Sequence, residues 1–315
     1  MNSKREHTWW VHLLLALVTL SWGFNNILMK VGFQYVSAPQ FNAIRMIIAF
    51  PFMLYFAFWR PGRTPFAKRD LLGIMAISVV GLGLFQVLFP TGIDETSASL
   101  GGVLMAVMPV HVVILSLCFR LERPEWKSFT GVALTLIGLA ILTLASGQAA
   151  GATDTTLRGI LFVVIAELGY GINTTFLRPY MKRYPPLQVT GLAMATSVVL
   201  YMLVFIKDLR VLVLAEIHPI VWLTTAYSGL VAFLLANILW NLSVKHIGST
   251  KVSVYGNLPP VIVLFLSALL FHDILNRLQM LGALIILSGV VLVQFRKSVP
   301  VQEPLAGISA MPDSE

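Results

Sequence analysis

Glu167 is the side chain in this sequence most able to do chemistry, because it is a carboxylate in the middle of a long apolar run, GILFVVIAELGYGIN. An ionisable group within hydrocarbon is expensive and is by default a candidate functional group. Glu167 lies about ten residues into its run, roughly 15 Å at 1.5 Å per residue, which is near the middle of a bilayer. Three readings fit it. Burial disfavours the charged form of a carboxyl, so it could load and release a proton. It could instead stay ionised and pair with a cationic group of a ligand, or be a carboxyl hydrogen-bonded to a neighbouring helix for stability.

Helical spacing puts Tyr170, Gly171 and Thr174 on the face of Glu167, because residues three, four and seven apart lie above one another. Thr19, Trp22, Gly23 and Asn26 repeat that spacing 148 residues earlier. Two matching polar and aromatic faces suggest one shared cavity. Asn237, Trp240 and Asn241 form a third such face, with Tyr227 and Tyr255 near it in sequence. Aromatic walls of this kind can hold a cation or a ring. His111 joins the candidates because imidazole titrates near neutral pH, although a lone intramembrane histidine is more often a packing residue. Glu167, Tyr170, Trp22, Asn26, His111, Asn237 and Trp240 are therefore the candidate site, with Asn25 and Asn173 behind them. Arg45 and Lys251, near the ends of their runs, read as structural cations whose long stems snorkel toward an interface.

Other chemistry is excluded by what is missing. The sequence has no HExxH, GxxxxGK[ST] or GxSxG pattern, so no metal site, nucleotide loop or hydrolase elbow is expected. Gly81 and Gly83 lie in an apolar run, where a phosphate loop cannot operate, and Asn173 of NTT is buried in another. No cofactor is expected. Cys118 is the only cysteine; it has no disulfide partner and reads as a small core residue.

The elements that position these residues are membrane spans. The chain is 57% apolar and 11% charged, against roughly 45 to 50% and about 25% in soluble domains. Ten runs approach the roughly 20 residues needed to cross a bilayer. They are 9–30, 39–59, 71–89, 98–119, 126–145, 157–177, 186–206, 220–244, 249–271 and 278–295. Residues 2–7 precede the first run without the short apolar core and cleavage site of a signal peptide, so this run is expected to be retained. Trp9, Trp10, Trp59 and Trp126 sit at span ends and read as interface anchors.

The spans repeat. From Pro109, steps of 13, 22 and 29 residues reach Glu122, Gly131 and Gly138; from Pro260 the same steps reach Asp273, Gly282 and Gly289. The offset is 151. Glu122 and Asp273 read as structural acids that pair with loop arginines or helix-end donors, and the glycine pairs as close helix contacts. Pro109 and the Pro259, Pro260 pair interrupt matching spans, which in a repeated membrane protein points toward a binding site. The expected organisation is a short segment 1–8, a first repeat 9–145, a linker 146–156, a second repeat 157–296 and a disordered tail 297–315.

Charge sets the orientation. Loops on the N-terminal side hold 16 of the 22 lysines and arginines and the opposite loops hold 5, with Arg45 inside a span. Both termini are therefore expected in the cytoplasm. These clusters between apolar runs account for the formal charge of +8 without nucleic acid. Five spans per repeat is an odd number, so the second copy is expected upside down. Accordingly Asp94 and Glu95, read as an outside loop, align with Lys245 and His246 in an inside one. The expected fold class is an all-α integral membrane protein of ten transmembrane helices in two inverted five-helix repeats.

The order of these features resembles the drug/metabolite transporter superfamily, in its EamA-type branch with two EamA repeats, over about residues 9–295. The resemblance rests on SWGFNNILMK from Ser21, Pro39 with Arg45, TSAS from Thr96, Pro109, LERPEW from Leu121, and Gly131 with Gly138. In the second half it rests on GSTK from Gly248, Pro259 and Pro260, and LGALIILSGV from Leu281. It implies a non-enzymatic, ten-helix secondary transporter of the cell membrane, usually an exporter, working by alternating access. Its partners would be a small-molecule substrate such as a metabolite, amino acid or amphiphile, the lipid bilayer, and protons as a candidate coupling ion. Glu167 stands where the family usually carries an apolar or small residue, so it inherits no role. The site is expected between helices 1, 3, 4, 6, 8 and 9. The resemblance implies no oligomeric state. The competing readings are a passive facilitator or exchanger, a membrane sensor or assembly subunit that does not transport, and an intramembrane enzyme acting on lipid.

Overall fold

The computed structural model describes residues 9–119, 126–147, 154–210, 217–247, 252 and 254–294. The segment 1–8, most of the linker, Glu122, Lys251 and the tail 297–315 lie outside the described residues. Among the described residues the structure is all helical. Its main elements are α1 (Trp9–Gly32), α2 (Ala38–Trp59), α3 (Lys68–Glu95), α4 (Ala98–Cys118), α5 (Trp126–Gly147), α6 (Asp154–Phe176), α7 (Pro186–Val204), α8 (Pro219–Ile247), α9 (Leu258–Phe271) and α10 (Arg277–Gln294). Helices α1 to α4 and α6 to α8 are long and apolar enough to cross a membrane, α6 with its continuation to Arg183; α5, α9 and α10 carry shorter apolar stretches.

Starts and breaks follow from local sequence. Ser37 and Gln40 exchange side-chain and main-chain bonds ahead of α2, with Pro39 in its first turn, and Asn276 and Gln279 do the same ahead of α10; such reciprocal bonds satisfy donors that the first turn leaves free. In α4 a 3₁₀ turn at Met105–Val107 precedes Pro109. A second, at Val254–Asn257, precedes Pro259 and Pro260 in the matching place before α9. Wide π-helical turns occupy Val79–Gly83 in α3 and Tyr227–Leu235 in α8, again matching places at the offset of 151.

The packing is inside out relative to a water-soluble bundle. Leu223 and Phe265 are about two-thirds exposed, while Asn42, Arg45, Gln86, Ser228 and Asn241 are buried. This arrangement belongs to a multi-pass membrane protein, whose apolar exterior faces lipid. Glycines bring the helices together. A β-carbon on Gly138 would lie 2.8 Å from the Gly282 carbonyl, and one on Gly289 would lie 2.6 Å from the Gly131 carbonyl. Helices α5 and α10 thus touch backbone to backbone and run antiparallel.

Two further seams mirror each other. Ile262 of α9 sits over Gly23 of α1, where an added β-carbon would meet it at 2.7 Å; His111 of α4 sits over Gly171 of α6, at 3.3 Å. At one end of the bundle Lys30 donates to the carbonyls of Asp94 and Thr96, Arg158 pairs with Glu95, and the Ser99 N–H donates to Asp273 at 2.8 Å. Asp273 thus serves a helix-end donor. At the other end Arg183 and Tyr184 both bond Asp70, and Gln188 donates to the Thr64 carbonyl at 2.7 Å.

Three expectations change, and one residue gains a partner. Asp94 and Glu95 form the last turn of α3, not a loop, because α3 continues through Pro90 to Glu95. Cys118 is exposed at the end of α4 and is no core residue. Trp10 packs edge-on against His246, with ring centroids 5.1 Å apart, and so also ties α1 to α8; of the four tryptophans read as anchors, Trp9, Trp59 and Trp126 are exposed. Arg45 does not snorkel. Its side chain is buried, because Asn42, Gln86 and Ser228 supply acceptors inside the bundle.

Candidate functional site

The inner faces of α1, α2, α3, α4, α6, α8 and the segment leading into α9 enclose one central cavity. It leaves about 70 Å³ to the centres of water-sized molecules, several times the roughly 10 to 15 Å³ that one water requires. Both 3₁₀ interruptions open onto it: Met105 lines it on α4, and Gly256 with Pro259 lines it before α9. The matching prolines thus mark a place where the helical ladder is broken beside a cavity.

Five of the seven candidates meet there. Trp22, Asn26, Glu167, Tyr170 and Asn237 all line the cavity, as does Asn25. Trp22 is fixed by its indole N–H, which donates to the Ala232 carbonyl at 2.9 Å, inside the wide turn of α8. Its ring meets Tyr170 edge-on at 5.8 Å, and Tyr170 in turn meets Phe85 at 5.2 Å. The Tyr170 hydroxyl donates to Asn237 Oδ1 at 3.1 Å, and Asn237 Nδ2 donates to the Phe233 carbonyl at 2.7 Å. These bonds orient an aromatic wall built from both halves of the chain.

Trp240 stands behind that wall. Its ring packs 4.9 Å from Trp22, it is almost fully buried, and its N–H has no partner among the described residues. His111 lies elsewhere, at the α4–α6 seam over Gly171, with its Nδ1 buried and without a partner among the described residues. It takes the place that Ile262 takes in the other half. The expected common face of α6 is therefore divided: Glu167 and Tyr170 look into the cavity while Gly171 receives the histidine. Asn173 packs against Gly81 of α3, away from the cavity lining.

The electrostatics of the cavity rest on two groups. Glu167 is 4% exposed, and its carboxyl has no hydrogen bond or ion pair among the described residues. Arg45 is 3% exposed and also lines the cavity. It donates to Asn42 Oδ1, to Ser228 Oγ at 3.0 Å and to Gln86 Oε1 at 2.9 Å, and lies 5.6 Å from the centre of the Phe233 ring. All of these partners are neutral. No carboxylate pairs with it among the described residues, although desolvating such a cation costs several kcal/mol.

Sequence reasoning missed Arg45 and Gln86 as site residues. The available signal was that Arg45 is the one cation placed inside a span, one turn after Asn42, and that Gln86 is a polar residue in an otherwise apolar run. Phe85, Phe89, Met105, Met108 and Phe233 complete the lining, but nothing in their types separates them from core residues. No group of three or more His, Cys, Asp or Glu suited to a metal occurs among the described residues.

Comparison with known proteins gives a consistent picture. A profile of the EamA-like transporter family matches residues 9–144 and 157–295. The chain is 22% identical to the uncharacterized transporter YyaM of Bacillus subtilis (strain 168), over 89% of this chain and 92% of that one. It is 24% identical to a probable terminal-alkyne amino-acid exporter of Streptantibioticus cattleyicolor, over 90% and 92% of the two chains. It is 23% identical to a probable amino-acid metabolite efflux pump of Salmonella typhimurium (strain LT2), over 88% and 92%. A solved crystal structure shares the fold with a TM-score of 0.62 at 17% identity, covering 90% of this chain and 96% of its own. With the family profile matching twice over nearly the whole length, the chain belongs to the EamA-like transporter family.

Proposed function

We propose that this protein is a secondary transporter that exports a small organic solute, of the amino-acid or amino-acid-metabolite class, through the central cavity by alternating access. The observation that carries this reading is the cavity itself, polar and aromatic, enclosed by helices of both halves and flanked by the two interrupted helices. The names of the relatives add the direction and the solute class.

The reading includes ten crossing helices in two inverted repeats. The antiparallel α5–α10 contact supports it, because the pairs Gly138 with Gly282 and Gly131 with Gly289 exchange when each half is shifted onto the other. The paired seams, Ile262 over Gly23 and His111 over Gly171, support it in the same way. Inverted halves can close the cavity at either end in turn. The basic loops favour the cell membrane with both termini in the cytoplasm, which puts the Asp94, Thr96 and Asp273 ties outside and the Asp70 and Arg183 ties inside.

The test is flux. Purified protein in liposomes with an internal pH dye is given amino acids and their metabolites in turn, beside a Glu167→Gln variant. Saturable, protein-dependent solute movement is expected. Solute movement together with protons, lost in the variant, makes it proton-coupled with Glu167 as carrier. Movement without protons makes it a facilitator or exchanger. Binding without any flux overturns the transport reading in favour of a sensor.

A further inference from the structure

The central cavity holds a cation and a carboxyl that do not meet each other. Arg45 on α2 and Glu167 on α6 share its lining, yet neither has an ionic partner among the described residues. Arg45 reaches oxygen acceptors through three of its five N–H groups and the Met29 sulfur through a fourth, at 3.8 Å. One N–H therefore remains on a guanidinium that lines the cavity. Glu167 keeps both oxygens.

Two more acceptors belong to the same lining. Asn25 and Asn26 line the same cavity, are 7% and 1% exposed, and have side-chain carbonyl oxygens with no hydrogen-bond partner. Their Nδ2 atoms reach only methionine sulfurs, Met29 at 3.3 Å and Met105 at 3.4 Å, and thioethers are weak acceptors. Buried polar atoms are almost always satisfied, so unpartnered amide oxygens on residues of the same lining as an unpartnered carboxyl mark a place for donors. A primary ammonium group has three N–H donors and no acceptor. The opposite need, at Arg45, is that of a carboxylate.

We infer that the cavity recognises a zwitterion bearing a primary ammonium and a carboxylate, the ammonium held by Glu167 with the Asn25 and Asn26 carbonyls, the carboxylate by Arg45. One ligand then neutralises two buried groups that would otherwise each stand alone, which is a stronger requirement than either charge separately. The aromatic residues that share the lining, Trp22, Tyr170 and Phe85, are neutral, so the rest of the ligand is uncharged. This assignment rests on the transport reading only for its setting in the cavity; recognition itself is a binding property.

The experiment measures binding to purified protein in lipid nanodiscs, by calorimetry, of leucine, phenylalanine, methionine and serine. Each is compared with its methyl ester, its des-amino acid and its N-trimethyl betaine. At least one zwitterion binds, and all three of its analogues bind about tenfold or more weaker, as loss of a charge-assisted hydrogen bond requires. Glu167→Gln lowers affinity for the amino acid but leaves affinity for the des-amino acid unchanged, so discrimination between them falls toward one. Arg45→Lys, whose three N–H donors cannot serve Asn42, Ser228, Gln86 and a ligand together, lowers affinity for the amino acid more than for its ester. The inference is overturned if no zwitterion binds, if ester or betaine binds as well as the parent, or if Glu167→Gln weakens every ligand equally. It is also overturned if sodium alone, tested as chloride against choline chloride, occupies the Glu167 site. Binding with the stated discrimination but no flux in liposomes overturns transport and leaves this assignment standing; flux without discrimination does the reverse.

Discussion

Helix α1 presents Thr19, Trp22, Gly23 and Asn26 where α6 presents Glu167, Tyr170, Gly171 and Thr174, and the two faces agree in their small and aromatic residues but not in their polar ones. The glycines do one job twice, each receiving a side chain from the partner helix of the other half. The two aromatics meet across the cavity. The polar positions diverge. The Thr19 hydroxyl turns back to the carbonyls of Leu15 and Ala16 in its own helix, whereas Glu167 stands unpartnered at the cavity. Duplication thus keeps what packs the two halves together, and the copies differ in the polar groups they carry on those faces.

That comparison can be broken most sharply by flux. Glu167→Gln should lower export in liposomes by about tenfold or more, while Thr19→Val, at the equivalent place, should leave it within about twofold, since it removes only a bond inside one helix. Equal losses would show that the asymmetry has no functional meaning. A smaller effect separates the two glycines. Gly23→Ala puts a β-carbon against Ile262 at 2.7 Å and Gly171→Ala puts one against His111 at 3.3 Å. Thermal unfolding in detergent should therefore show Gly23→Ala destabilised by about 1 to 3 kcal/mol, with Gly171→Ala clearly milder. Next comes Tyr170→Phe, which removes the bond to Asn237 and should cost about 0.6 kcal/mol. The smallest change is His111→Ile, which installs the residue of the mirrored seam and removes a buried ring nitrogen without a partner. Stability should hold or rise by up to about 1 kcal/mol, with flux retained. Loss of flux there would return His111 to the mechanism.

Much of this was legible in the sequence because it depends on order and spacing. Pro109 with Pro260, and the glycines that follow each, declare one unit used twice, and the glycine pairs prove to be the places where α5 and α10 touch. The carboxylate within a long apolar run and the Trp22 and Tyr170 faces are likewise local patterns. Arg45 is different. Whether a long cation snorkels or stays buried depends on acceptors from other helices, here Gln86 and Ser228, which lie 41 and 183 residues away. Neither is a pattern in its own neighbourhood. His111 was only partly legible for a related reason: its type suggests proton chemistry, while its position, read through the repeat, is the one that Ile262 takes in the other half.

The wide turns in α3 and α8 carry a consequence for how chain length can vary. A π-helical turn holds one more residue than an α-helical one, typically as a single insertion absorbed within a helix. A residue gained or lost at Val79–Gly83 or Tyr227–Leu235 can tighten or widen that turn while the helix on either side keeps its register against its neighbours. Because both copies of the unit carry the wide turn at the same step, the third helix of each half has a built-in tolerance for length changes at the level of the cavity. A one-residue deletion there is expected to be survivable, where the same deletion in the glycine seam of α5 would move every contact beyond it.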